Sequence, residues 1–186
     1  MDFWCNRGHF NLDQAEYFKE LVNKYQPQYV LETGFCTGRS ASSVLVNATN
    51  LKKMISIDIN FDYIKPEGRI YQKLLLDNFK NFYTVEKASK YVLNDLFLKQ
   101  QFPNGIDWAT IDGDHSYNGC LFDLISIYEH MNKNGIIIID DYKSGPPNGC
   151  SIPEVTKACD DFYKIHPELE KIEWNNKGKG FCVFKF

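Results

Sequence analysis

Five residues able to hold a cation or move a proton fall in two short runs, Asp112-Gly113-Asp114-His115 and Asp140-Asp141. Each run follows an apolar stretch, Ile106 to Ile111 in the first case and Gly135 to Ile139 in the second. Carboxylates gathered in one place repel one another, and a divalent cation relieves the repulsion. An all-oxygen set built from Asp112, Asp140 and Asp141 suits Mg2+, Mn2+ or Ca2+ more than zinc. Such an ion would lower the pKa of a substrate hydroxyl, leaving His115 or Asp114 to accept the proton. An unperturbed histidine titrates near ~6.5, so a neutral His115 is expected at physiological pH. The plainer alternative is that Asp112 and Asp140 cap the segments that follow them, since acids at sheet edges are common without metal.

A second chemical stretch runs from Tyr29 to Ala41, where an apolar run ends in Glu32 and two glycines, Gly34 and Gly38, precede Ser40. The pattern reads as strand, tight turn, helix. Glycines there let the backbone approach a ligand, and the first amides of the helix point donors at it, so a small anionic or zwitterionic ligand fits. A dinucleotide fingerprint would need a second glycine where Cys36 stands, which argues against NAD. Asp58 follows 24 positions after Gly34, at the end of Met54 to Asp58. That offset places a carboxylate where ribose hydroxyls are accepted. Its alternative use is as a cap for the next segment.

Positioning these residues requires a set of strands ending on one edge. Tyr29 to Glu32, Met54 to Asp58, Phe82 to Glu86, Ile106 to Ile111 and Gly135 to Ile139 alternate with helical patterns. This order predicts an α/β fold with a doubly wound, mostly parallel sheet, whose ligands sit at the carboxyl ends of the strands. Residues 13–25 predict a leading helix with Asp13 as its cap, and Ser89 caps a helix carrying Val92, Leu93, Leu96 and Phe97. Ser116 caps a helix running to Met131, closed by Asn134-Gly135. Pro153 to Ile165 reads as a last helix, followed by a closing antiparallel hairpin of Glu170 to Trp174 and Phe181 to Phe186. Lys143 to Pro153, rich in proline and glycine, is a lid over an acceptor or a stiff connector.

The Glu32-x-Gly34-x-x-x-Gly38-x-Ser40 loop resembles the first motif of class I S-adenosylmethionine-dependent methyltransferases, and more narrowly that of catechol O-methyltransferase-like enzymes. The likeness covers roughly Tyr29 to Tyr142. It implies a Rossmann-like methyltransferase fold, S-adenosylmethionine as cofactor, and Glu32, Gly34, Gly38, Ser40, Asp58, Ser89 and Asp112 as its contacts, with Ser40 on the methionine carboxylate. Ala88-Ser89 stands near the adenine in that family, with Ala88 where the family carries an acid. The family also places one metal-binding aspartate after its fourth strand and an Asp-Asn or Asp-Asp pair after its fifth, matching Asp112 and Asp140-Asp141. Its base is a lysine three residues past the first metal ligand, a position held here by His115. The Asp112-to-Tyr117 run also looks like a bacterial methyltransferase group acting on sugars or natural products.

The remaining composition narrows the options. The chain has 186 residues, 44% of them hydrophobic, enough for one sizeable core and a single domain: a leading helical segment at 1–28, a cofactor core at 29–142 and a lid, helix and hairpin at 143–186. A net charge of −3 gives no footprint for nucleic acid or an anionic membrane. Met1 to Arg7 lacks the pattern of a signal peptide, and the longest aliphatic run is Ile136 to Ile139, so no membrane span is expected. Six scattered cysteines, without a Cys-x-x-Cys pair, predict reduced thiols and a cytoplasmic protein. The expected partner is a small hydroxylated acceptor, and a homodimer is compatible with the sequence. A metal-independent methyltransferase or a non-catalytic adenosyl-nucleotide-binding module would use the same scaffold.

Overall fold

Seven strands form one sheet in a computed structural model that describes residues 10–62, 66–146 and 151–186. Expectations for Met1 to Arg7, for Cys5 and Cys150, and for the middle of the 143–153 loop fall outside the described residues. In chain order the elements are α1 (Leu12–Tyr25), β1 (Tyr29–Thr33), α2 (Arg39–Asn47), β2 (Lys53–Asp58), α3 (Glu67–Asn78) and β3 (Phe82–Glu86). A short 3₁₀ turn at Ser89–Tyr91 leads to α4 (Asp95–Gln101), β4 (Ile106–Ile111), α5 (Tyr117–Tyr128) and β5 (Met131–Ile139). Then come α6 (Pro153–Ile165), β6 (Glu170–Asn176) and β7 (Lys179–Lys185).

The strand order is β3-β2-β1-β4-β5-β7-β6. The first five strands are parallel, and β7 is antiparallel to both β5 and β6. The order reverses between β1 and β4, which opens the ligand crevice beyond their carboxyl ends. The fold is therefore the predicted mixed α/β sheet with a C-terminal hairpin. Ile111 pairs with Ile139 across β4 and β5, so Asp112 and Asp140 emerge side by side.

Burial explains why the apolar runs became strands. Ile136, Ile137, Ile138 and Ile139 are all buried, as a strand covered on both faces must be. Phe181 joins Phe18 and Trp174 in an aromatic cluster that seats α1 against the hairpin. Among the described cysteines, Cys120, Cys159 and Cys182 are buried, Cys36 is half-buried, and none of the four is in a disulfide.

Several local expectations give way to tertiary packing. Asn11, not Asp13, caps α1, through a reciprocal pair of bonds with Gln14. Ser89 opens the 3₁₀ turn, and Asn94 caps α4 instead. The helix begun at Ser116 ends at Tyr128, and Met131 already pairs with Ile106 in the sheet. The ladder resumes only at Trp108 and Ile136, so Asn134, with φ +67°, lies in an irregularity within β5 rather than at a helix end. In α3 the buried residues are Gly68, Gln72 and Leu75, whereas Ile70 and Leu74 face outward. The opening of the 143–153 loop is pinned to the hairpin turn, where Gly145 N donates to Gly178 O and Gly180 N to Ser144 Oγ.

Candidate active site

The glycine loop is built by close backbone contact. Gly34 sits at φ +86°, and a Cβ there would lie 2.0 Å from the Asp112 carbonyl oxygen. Its N–H donates to Ile57 O, which ties the loop to β2. Gly38, at φ +69°, starts α2 without any side-chain cap, and no acid stands in the first turn of that helix. Cap donors are thus left to a ligand, and the helix end favours negative charge. Cys36 also takes a left-handed conformation, at φ +50°.

Two predicted cofactor residues turn out to support the loop. Glu32 is wholly buried and accepts bonds from the Ser40 and Ser56 hydroxyls, so it reaches a ligand only through Ser40. Burial raises its pKa to about 7 against the opposing effect of the two hydroxyls, while the charges of Asp112 and Asp58 add to the rise. Asp58 Oδ2 accepts from Phe35 N at 2.7 Å and Cys36 N at 3.1 Å, and Oδ1 accepts from Asn60 N. It braces the loop and keeps lone pairs for hydroxyl donors from a ribose.

The acids at the neighbouring strand ends do not form the all-oxygen trio. Asp112, His115 and Asp141 each offer one donor atom, and these atoms lie within 4.8 Å of one another. His115 Nε2 is 2.9 Å from Asp112 Oδ1 and 3.6 Å from Asp141 Oδ2. Asp140 stands behind this group, nearly buried, with Oδ1 accepting from Gln14 Nε2 and from Asp141 N. The imidazole takes the third place expected for Asp140 because Asp140 is drawn inward by the amide of α1.

Charge explains how the group holds together. Burial, followed by the charges of Asp112 and Asp141, pushes Asp140 well up, and burial and Asp112 raise Asp141. Burial pulls His115 down, but its bond to Asp112 and the charges of Asp112, Asp141 and Asp140 outweigh that and raise it to about 9. The ring is therefore protonated at pH 7, contrary to the expectation of a neutral base. Buried Lys179 adds a second cation beside Asp140 and Asp141. Two carboxylate oxygens and an imidazole nitrogen at this spacing fit a divalent cation once the ring releases its proton.

Asp114 leaves the cluster altogether. It is exposed, accepts from Ser116 N at 2.9 Å, and packs so tightly on α5 that a Cβ on Gly119 would lie 2.2 Å from its carboxyl carbon. It shapes the start of α5 and is not placed as a base. Ser89, half-buried, lies by Asp123 of α5.

Asp123 is a group the sequence reading missed. It is fully buried, and neither carboxylate oxygen has a well-formed hydrogen bond; the Thr33 hydroxyl is likewise unpartnered. Burial lifts its pKa to about 6, with nearby Ser89 and Thr33 hydroxyls tempering the rise. A raised folded pKa means the native state holds this proton more tightly than the unfolded chain. Stability from this group is then full below about pH 4 and falls as pH rises to about 6. Asp123→Asn should therefore stabilise the protein by about 1–3 kcal/mol at pH 8 and by almost nothing at pH 4. Urea melts at the two pH values check it, and equal gains at both would refute the assignment. An acid between Phe122 and Leu124 in an apolar helix was the available signal; Gln14 was legible only as the partner of Asn11 in a cap, and Lys179 gave no signal.

A parallel sheet with an order reversal, a glycine loop against a neighbouring strand end and an acidic edge define the architecture of the class I methyltransferases. Residues 31–142 match a family model described as a methyltransferase domain. The chain belongs to this methyltransferase domain family. It is 41% identical over 156 residues to protein R132 of Acanthamoeba polyphaga mimivirus, covering 83% of this chain and 69% of that protein. Its fold matches an O-methyltransferase from Bacillus cereus, solved with S-adenosylhomocysteine, with a TM-score of 0.72, 12% identity, and 95% of this chain and 82% of the other covered. It also matches TomG of Streptomyces achromogenes, an O-methyltransferase of tomaymycin synthesis solved with S-adenosylmethionine, with a TM-score of 0.68, 12% identity, and 94% and 80% coverage. No helix among the described residues is long and apolar enough to cross a membrane.

Proposed function

We propose that the protein is an S-adenosylmethionine-dependent O-methyltransferase that acts, with help from a divalent cation, on a small hydroxylated molecule of the sugar, catechol-like or natural-product kind. The observation that carries this reading is the seating of the Gly34 loop against Asp112, beside the Asp112-His115-Asp141 group. The uncapped start of α2 suits the cofactor's carboxylate, the Ser40 hydroxyl being donated to Glu32, and Asp58 suits its ribose hydroxyls. S-adenosylmethionine supplies a sulfonium-bound methyl group, transferred in line to a nucleophile held at near-attack distance. A divalent cation supplies Lewis-acid charge that favours the ionised form of an acceptor hydroxyl. Asp112 and Asp141 orient toward that position, and His115 Nε2, once it gives up its proton, would be the third donor to the cation.

The test is incubation of purified protein with methyl-labelled cofactor and a small-molecule extract, followed by mass spectrometry. A newly labelled hydroxylated compound is expected, with transfer lost on chelation and restored by Mn2+ or Mg2+. A metal-independent transferase is favoured by one observation, that His115 and Lys179 already supply two positive charges to the acids. Undiminished turnover after chelation would select it. Tight binding of S-adenosylhomocysteine with no acceptor labelled would point instead to a non-catalytic module.

A further inference from the structure

We propose that Gln14 is a positioning residue of the acidic edge, holding Asp140 so that Asp141 presents its carboxylate to Asp112 and His115. The inference rests on the divalent-cation reading given above.

Gln14 lies in the first turn of α1 and is fully buried, 126 residues away in sequence from its partner. The other buried residues of α1 are Phe18, Leu21 and Val22, so packing alone would be served by an apolar side chain at this place. Its amide is oriented without ambiguity. Oε1 accepts from Asn11 N at 3.0 Å, and the Asn11 backbone can only donate, so Nε2 is the group that faces Asp140 Oδ1 at 3.0 Å. Both halves of the amide are in use, as a buried polar group requires.

The consequence passes along the chain by one residue. Asp140 Oδ1 also accepts from Asp141 N at 2.8 Å, so the same oxygen clamps the next peptide. Asp141 is held at φ +61°, a left-handed conformation that most L side chains avoid. In that conformation its Oδ2 stands 3.6 Å from His115 Nε2. Without the Gln14 donor, the Asp140 carboxylate is free to swing, and the turn that aims Asp141 loses its fixed support. Partners one step behind metal ligands commonly change metal affinity 10- to 100-fold.

Two variants separate this role from simple support of α1. Gln14→Leu removes the donor to Asp140 and the Gln14 Oε1 half of the capping box, leaving Gln14 N bonded to Asn11 Oδ1, whereas Asn11→Ala removes the Asn11 Oδ1 half and leaves the donor. Titration calorimetry of the full chain with Mn2+ alone, with circular dichroism and thermal melts as controls on folding, reads the difference. The expected result is Mn2+ binding at least about tenfold weaker in Gln14→Leu and unchanged in Asn11→Ala, although Asn11→Ala melts earlier. If Gln14→Leu does not fold, Gln14→Met replaces it with the same expectation, because its length and flexibility fill the space. Equal Mn2+ affinity in wild type and the Gln14 variant, or parallel weakening in Asn11→Ala, would overturn the positioning role and leave the cation reading intact. A wild-type protein that binds no Mn2+ would overturn both.

Discussion

Asp141→Ala is expected to lower methyl transfer by roughly 10²–10³-fold, the scale of a lost Lewis-acid contribution of a few kcal/mol. Asp141 contributes one of the three donor atoms and lies on the β5 side of the crevice, away from the Gly34 loop. Affinity for S-adenosylhomocysteine should accordingly stay within about twofold, and Mn2+ binding should be lost. Alanine at φ +61° is itself strained, so Asp141→Asn is the companion variant: asparagine tolerates that conformation and keeps one oxygen. It should lose less of both activities. In the wild type, Mn2+ must displace the His115 proton, whose pKa stands at about 9, so binding should tighten as pH rises from 7 toward 9. Calorimetry over that range, with initial rates of label transfer, decides the matter. A loss of S-adenosylhomocysteine affinity as large as the loss of rate would move Asp141 into the adenosyl site.

Gly34→Ala carries the second large effect. The added carbon would stand 2.0 Å from the Asp112 carbonyl oxygen, 2.4 Å from its carbon and 2.9 Å from Gly113 N, all of them backbone atoms. No rotamer change can relieve such a contact. Asp112 N donates to Thr33 O, so the two strand ends cannot part without breaking the ladder. The positive φ adds on the order of 1 kcal/mol of its own. Destabilisation of roughly 3 kcal/mol or more is expected, a fall in Tm of about 6–12 °C for a chain of this size. S-adenosylhomocysteine affinity should drop at least about a hundredfold, because the loop amides can no longer approach a ligand. Gly113→Ala is the control, since its Cβ would meet Thr33 at an ordinary 3.4 Å. A Gly34→Ala protein that melts and binds like wild type would show that the loop is not seated on Asp112.

The order of elements could be read before any coordinates because it depends on local properties. An apolar run such as Ile136 to Ile139 is buried wherever it pairs, and Gly34 and Gly38 mark a turn that few other residues allow. The two acidic runs were legible for the same reason, as charges placed straight after buried strands. The ends of elements were less so. Asn134-Gly135 reads locally as a helix stop, but pairing of Met131 with Ile106 extends the strand past it. The spacing of Ile70, Leu74 and Leu75 announces a helix correctly, but of the three only Leu75 is buried, beside Gly68 and Gln72.

By itself, then, the sequence determined an α/β sheet with a ligand loop after the first strand and acids after the fourth and fifth. Which side chains meet was decided by the tertiary structure alone. His115 joins Asp112 and Asp141, Asp114 turns to the start of α5, and Gln14 crosses from the first helix to hold Asp140. The reason is geometric: adjacent residues at a strand end point in different directions, and local propensity sets the backbone path without fixing which distant partner each side chain finds.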